Sequence, residues 1–309
     1  MTAPLYRDYD QDGLDRQFNL RARWPEHPTY FARWAEDSAA VRGRLPARLD
    51  LAYGNSPGER LDIFPASAPA PGGAPLIAFI HGGYWQALDK SDFSYLAPAF
   101  VEAGIAFASL NYDLAPATRI AGMVTQVRQA LAWLHGNAAA QGVDPARIFV
   151  AGHSAGGHLT AMALATDWAA TDWAATEWAG DFGLPADLVK GGCSVSGVYD
   201  LEPISLSYHQ AVLSISPEEV ADCSPLRSLP RHVGPGAAPL LCAVGSEETD
   251  EFLRQQADYL AAWRAAGLRG AAIDLPGRNH FTAIDALGEP AHPLFQAVRS
   301  LVAAGGQAS

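Results

Sequence analysis

Residues 147–164 read RIFVAGHSAGGHLTAMAL, and no other stretch constrains the fold as strongly. The run 147–151 is apolar and partly β-branched, as a buried strand would be. It passes into Gly152-His153-Ser154-Ala155-Gly156, and small, helix-favouring residues continue to Leu164. The pattern predicts strand, sharp turn, helix. On such a turn the side chain of Ser154 is lifted clear of the sheet at a helix N-terminus, and the flanking glycines leave room for a strained backbone. G-x-S-x-G alone is short enough to arise by chance. Its place between a strand and a helix makes Ser154 a candidate nucleophile.

The rest of the chain follows the same grammar. Strand candidates at 49–53 and 61–64 flank the turn-rich Gly54-Asn55-Ser56-Pro57-Gly58, and a Pro/Ala/Gly linker spans 65–75. Further apolar runs lie at 76–80, 105–110, 148–151, 193–196, 240–244 and 271–275. Between them are helical stripes, one of Val124, Val127, Leu131 and Leu134, another of Phe252, Gln256, Tyr259, Leu260 and Trp263. A last helix is expected at about 292–303. This alternation predicts an α/β domain filling residues 1–309, with a mostly parallel eight-stranded sheet and helices on both faces. Functional side chains then belong on loops at the carboxyl ends of strands.

Three segments break the rhythm and are expected to be cap or loop. Residues 9–45 carry Phe31, Trp34, Ser38 and Val41 on one stripe, interrupted upstream by Pro25 and Pro28. They fit either a cap over the site or a helix packed elsewhere on the surface. Parts of 165–190 and of 201–236 are the others. Within the first of these, ATDWA-ATDWA-ATEWA sets Trp168, Trp173 and Trp178 roughly 140° apart on a helix, so no one face buries all three. The repeat is either a duplication in a tolerant surface loop or a source of indoles for a pocket wall.

Composition narrows the partners. The 309 residues are 49% hydrophobic and 17% charged, enough for a sizeable core. A net charge of −12 argues against nucleic acid or an anionic membrane, both of which need clustered Lys and Arg. A small-molecule substrate fits better, with a homodimer left open. The charged N-terminal segment resembles neither a signal peptide nor a membrane span. Cys193, Cys223 and Cys242 are odd in number and lack metal spacing, which predicts reduced, mostly buried thiols of a cytoplasmic protein. There is no dinucleotide fingerprint, Walker loop or H-E-x-x-H, and His153 and His158 do not share a helical face. Neither metal nor cofactor is expected.

A serine hydroxyl needs a base to take its proton and donors to hold the charge on the attacked oxygen. Among nine histidines, His280 in Gly277-Arg278-Asn279-His280-Phe281 directly follows the last predicted strand and is the candidate base. His81 and His153 adjoin glycine turns, His158 is expected to face away, and His27, His135, His209, His232 and His292 lack supporting context. After the run 240–244, Gly245-Ser246-Glu247-Glu248-Thr249-Asp250-Glu251 offers four carboxylates, most of them suited to a helix start. The loop position points to Glu248 as the acid, with Asp250 as the alternative. The chain order Ser, acid, His matches the nucleophile-elbow arrangement. In Ile80-His81-Gly82-Gly83-Tyr84-Trp85, the backbone N–H groups of Gly83 and Tyr84, with that of Ala155, are the candidate oxyanion donors.

HGGYW at 81–85, YDLAP at 112–116, GHSAGGHL at 152–159, SGVYDLEPI at 196–204 and NHF at 279–281 together resemble the serine-hydrolase kynurenine formamidases (arylformamidases) of the α/β-hydrolase superfamily. The likeness runs from about residue 10 to residue 300. HGG with a later GxSAGG is also similar to hormone-sensitive-lipase-like esterases, but those usually carry a third glycine where this chain has Tyr84. The resemblance implies an α/β-hydrolase fold with a small cap, Ser154 as nucleophile and His280 as base. It puts the acid on Glu248, where the family normally has aspartate. It further implies acyl transfer from an aryl formamide such as N-formylkynurenine. Tyr84 and Trp85 would bind the aryl group, with Trp24 or Trp34 as further candidates. The alternative is a carboxylesterase of short acyl esters or another small-molecule amide or carbamate hydrolase. A silent binding protein on this fold is disfavoured, because nucleophile, base and acid are all present.

Overall fold

The computed structural model describes residues 4–69, 71–169, 184–231 and 236–305. Trp173, Trp178 and His232 lie outside the described residues. The eight apolar runs form eight strands: β1 Arg48–Ala52, β2 Arg60–Phe64, β3 Ala74–Ile80, β4 Ala106–Leu110, β5 Val143–His153, β6 Val189–Val195, β7 Leu240–Gly245 and β8 Gly270–Leu275. They make one sheet in the order β1-β2-β4-β3-β5-β6-β7-β8. The β1–β2 and β2–β4 pairs are antiparallel and the remaining five are parallel. Every residue of β3 and β4 is buried, as expected where both faces of a parallel sheet are covered.

Of the strands that begin before their apolar runs, β5 and β6 do so by the widest margin. Ala74 pairs with Val143 across a register shift, which draws β5 out ahead of Ile148. In β6 the stretch Lys190-Gly191-Gly192 hides the strand signature. Packing explains the glycines: a Cβ on Gly191 would meet Leu301 at 3.0 Å, and one on Gly192 would meet Leu164 at 2.8 Å.

The helices are α1 Gln11–Phe18, α2 Leu20–Arg23, α3 His27–Arg44, α4 Ala97–Glu102, α5 Ile120–Asn137, α6 Ala155–Leu164, α7 Glu202–Ser205, α8 Gln210–Leu213, α9 Pro217–Asp222, α10 Asp250–Ala265, α11 His280–Ala283 and α12 Pro293–Ala304. In α3 the buried residues are Trp34, Ser38 and Val41, one stripe at helical spacing, and Pro28 sits in its first turn where no N–H is missed. All ten residues of α6 are buried, so this helix runs through the core rather than over it. The interior stripe of α10 includes Phe252, Gln256, Tyr259, Leu260 and Trp263. Among the described residues no helix is long and apolar enough to cross a membrane.

Parallel register brings the strand ends level. Ile80 pairs with both Leu110 and Gly152, Gly152 with Ser194, and Ser194 with Cys242. The loops after β3, β5, β6, β7 and β8 therefore emerge along one edge. Trp168, the described indole of the repeat, is buried and lines a cavity of about 570 Å³ with Leu164 and Val189. That cavity shares no lining residue with the one around Ser154. All three cysteines are free and buried, and burial pushes their thiols up, Cys223 to about 11 and Cys242 to about 12.

The close packing of α6 on β3 gives a stability test. A Cβ on Gly156 would lie 1.9 Å from the backbone oxygen of Ile80. Gly156→Ala is expected to lower unfolding stability by at least about 1–3 kcal/mol, measured as the urea midpoint. An unchanged midpoint would contradict this packing.

Candidate active site

The site is built on the turn between β5 and α6. Ser154 has φ 57° and ψ −118°, a region that side chains other than glycine rarely occupy. Its N–H donates to Val195 O at 2.9 Å, and its carbonyl accepts from His158 N at 3.0 Å, opening α6. A Cβ on Gly152 would stand 2.2 Å from Gly156 O, so the turn closes only with glycine there. Ser154 lines a cavity of about 370 Å³ together with His280, His153, Gly83 and Tyr84.

His280 begins α11. The Asn279 side chain caps this helix, accepting from Phe281 N at 2.9 Å and Thr282 N at 3.0 Å. The His280 carbonyl accepts from His153 Nε2 at 2.9 Å, and the ring packs against Phe252. Its Nδ1 lies 2.8 Å from Glu248 Oε2. A carboxylate oxygen accepts, so the proton sits on Nδ1 and Nε2 is left free to take one. The Glu248 side chain is fully buried, and its other oxygen accepts from Ser196 Oγ. Asp250 and Glu247 are exposed, with Asp250 in the first turn of α10. Of the two acids the sequence leaves open, Glu248 therefore meets the imidazole and Asp250 does not. Among the described residues no hydrogen bond joins Ser154 Oγ to His280. Such contacts commonly tighten only when substrate is bound.

The loop after β3 supplies the facing wall. Gly83 has φ +109°, and a Cβ there would lie 2.0 Å from Ala87 O, while Tyr84 and Trp85 also have positive φ. His81 pins this turn: its ring is hydrogen-bonded to Gly82 O at 2.8 Å and Asn111 Oδ1 at 2.9 Å, and stacks on Tyr112 at 4.5 Å. The N–H groups of Gly83, Tyr84 and Ala155 enter none of the hydrogen bonds among the described residues. Such donors, one at a helix N-terminus, are what a developing oxyanion needs.

The aromatic expectations divide. Tyr84 lines the cavity, donates its hydroxyl to Phe18 O at 2.9 Å and stacks on His209 at 4.0 Å. Trp85 does not reach the cavity. It is fully buried, edge-on to His158 at 5.1 Å: on this turn of positive-φ residues the two side chains diverge, and the indole enters the core. Trp34 lines the cavity, whereas Trp24 packs against the edge of Phe281. The remaining walls come from Asn19 to Arg21, Phe31, and Tyr208 and His209 between α7 and α8. Sequence reasoning gave no site role to Ser196, His153 or His209. Only Ser196 carried a signal, at the carboxyl end of a strand neighbouring β5. Among the described residues no group of three or more His, Cys, Asp or Glu could hold a metal ion.

This sheet order, elbow and His–carboxylate pair define an α/β-hydrolase, a hydrolase of amides or esters. A crystal structure from a Silicibacter species, provisionally described as a thioesterase, superposes with a TM-score of 0.75 at 28% identity, covering 94% of this chain and 98% of that one. Esterase B of Lactobacillus rhamnosis shares the fold, with a TM-score of 0.69 at 17% identity over 92% of this chain and 96% of that one. The BD-FAE family model matches residues 61–211. The kynurenine formamidase of Danio rerio is 31% identical over 290 residues, 91% of this chain and 93% of that protein. The chain belongs to the kynurenine formamidase family.

Two outcomes follow from this geometry. Glu248→Gln is expected to lower kcat by about a hundred- to ten-thousand-fold, because it removes the negative charge and puts an amide that can donate to Nδ1 beside His280, favouring the wrong tautomer. Asp250→Asn should stay within about twofold, since exposed substitutions away from such contacts do little. Equal losses in the two would contradict the pairing. The second outcome concerns pH. Burial holds His158 and His209 down to about 4, against an ordinary 6.5. As pH falls below 6.5 the unfolded chain takes up protons that the folded chain refuses. Stability is thus full above 6.5 and declines toward pH 4. Urea midpoints at pH 7, 5.5 and 4.5 should fall in that order, and a flat profile would contradict the buried neutral imidazoles.

Proposed function

We propose that the protein hydrolyses a small aryl formamide of the N-formylkynurenine kind, by acyl transfer through Ser154. Ser154 Oγ attacks the formyl carbon while its proton passes to His280 Nε2. The carbonyl oxygen, now negative, takes hydrogen bonds from the N–H groups of Gly83, Tyr84 and Ala155. His280 gives the proton to the departing aryl nitrogen, the C–N bond breaks, and a formyl ester remains on Ser154. Water, deprotonated by His280, attacks that ester. Formate leaves and the serine takes the proton back. Glu248 keeps Nδ1 protonated and stabilises the imidazolium formed at each step, with Ser196 holding the second carboxylate oxygen.

The observation that carries this reading is the wall of the cavity. Phe31, Trp34, Tyr84 and Phe281 surround a space of about 370 Å³ beside Ser154, which suits one planar aryl group and a small acyl group. Kinship with the Danio rerio kynurenine formamidase over most of both chains supports it. A second reading, hydrolysis of short acyl esters, is favoured by the likeness to esterase folds, because a formamide and an ester carbonyl ask the same of the site.

Specificity constants for N-formylkynurenine, p-nitrophenyl acetate and p-nitrophenyl butyrate separate the two. Formamide turnover that vanishes in Ser154→Ala, with butyrate poorer than acetate, is expected. No detectable formamide turnover beside rapid ester hydrolysis would replace the first reading by the second.

A further inference from the structure

The cavity beside Ser154 carries one fixed charge. Of the described residues that line it, Arg21 alone is permanently ionised. Three imidazoles also line it: His280 is held by Glu248, and burial keeps His153 and His209 below their ordinary range. In a chain of net charge −12, a cation at this place would be expected to find an acid of its own. Among the described residues several other arginines have done so or are otherwise engaged, although the exposed Arg16, which does not line the cavity, has not. Arg33 pairs with Asp285 at 2.7 Å, Arg278 with Glu289 at 2.7 Å, and Arg254 with Glu251 and Asp258, both at 2.7 Å. Arg23 lies over Trp24 and donates to Glu247 O at 3.4 Å.

Arg21 is different. Among the described residues it makes no ion pair and no hydrogen bond. Its guanidinium carbon lies 5.8 Å from the centre of the Phe31 ring, itself a wall of the cavity. Asp15, whose field reaches Tyr208 and His209, accepts from Tyr208 N–H at 2.8 Å and from Gln11 Nε2 at 3.1 Å instead. The guanidinium is exposed, so it sits at the rim with its planar fork of donors free.

Resting on the hydrolytic reading above, we infer that Arg21 receives a carboxylate carried by the leaving group of the substrate. The cavity then has three zones: acyl chemistry at Ser154, aromatic walls for the aryl ring, and a rim cation for an anionic tail. A guanidinium matches a carboxylate with two parallel hydrogen bonds, which gives orientation as well as attraction. A rim cation on an otherwise acidic molecule also draws anionic substrates toward the mouth. The contact is the same in ground state and transition state, so its loss falls on KM rather than kcat.

The test compares two aryl acetates, 3-(3-acetoxyphenyl)propanoate and its neutral propanamide, and reads the ratio of their kcat/KM values. The wild-type enzyme is expected to prefer the carboxylate by about fivefold or more at low salt, a modest figure because the site is exposed. Raising ionic strength should compress that ratio. Arg21→Gln should bring it to about one through KM, Arg21→Lys should keep an intermediate value, and Arg21→Glu should invert it. A ratio that stays the same in Arg21→Gln and Arg21→Glu, or that ignores salt, overturns the inference. The same pair of enzymes is assayed on N-formylkynurenine. If the acetates are cleaved and the formamide is not, the formamide reading falls while the ratio still decides Arg21. If the formamide is cleaved and the ratio is flat, the Arg21 assignment falls alone.

Discussion

Everything at this site depends on one backbone conformation. Ser154 stands at φ 57°, ψ −118°, and holding a non-glycine residue in so sparsely populated a region costs of the order of 1–3 kcal/mol. The surrounding structure over-determines it. Gly156 lies so close to Ile80 O, and Gly152 to Gly156 O, that no side chain fits at either place. The Ser154 N–H is held by Val195 O, and α6 is buried along its whole length. The sheet thus fixes the serine from three strands at once, and parallel register sets the loops carrying His81, Ser196, Glu248 and His280 at the same edge.

The buried charges at that edge are kept paired. A buried carboxylate such as Glu248 is costly unless both oxygens are satisfied, and here His280 and Ser196 supply the two partners. The opposite wall rests on a second polar chain. Asn111 joins His81 to the Lys90 backbone N–H and to Asp89, and the Lys90 ammonium is held between Asp50 at 2.7 Å and Asp62 at 2.8 Å. Burial alone would lower the Lys90 pKa, but these two carboxylates raise it above its ordinary value. Through the Lys90 backbone and Asn111 this ion pair is tied to His81, whose ring bonds Gly82 O.

What could be read from the sequence was what depends on local pattern. Strands buried on both faces, such as β3 and β4, write themselves as continuous apolar runs, whereas the exposed β1 was marked by the turn beside it; Gly191 and Gly192 masked the start of β6, where they pack against Leu301 and Leu164. The serine was legible because a sharp turn demands glycines at fixed offsets. Local pattern favoured Glu248 but left Asp250 as the alternative, since both stand near a helix start; the path of the loop buries the first and exposes the second. The aromatic pair misled for a related reason. Tyr84 and Trp85 are neighbours in sequence, yet one faces the cavity and the other packs under it on His158. Arg21, Tyr208 and His209 left no trace at all, because they meet only when segments almost two hundred residues apart fold over the same opening.

The central claim is that hydrolysis passes through an acyl group on Ser154. The most direct measurement is mass spectrometry of enzyme quenched in acid during steady turnover of phenyl acetate, with peptide mapping of any adduct. An adduct of one acetyl group on the peptide containing Ser154, accumulating in wild-type protein and missing in Ser154→Ala, is the predicted result. Turnover without an adduct under conditions where deacylation limits the rate, or an adduct on another residue, would contradict it.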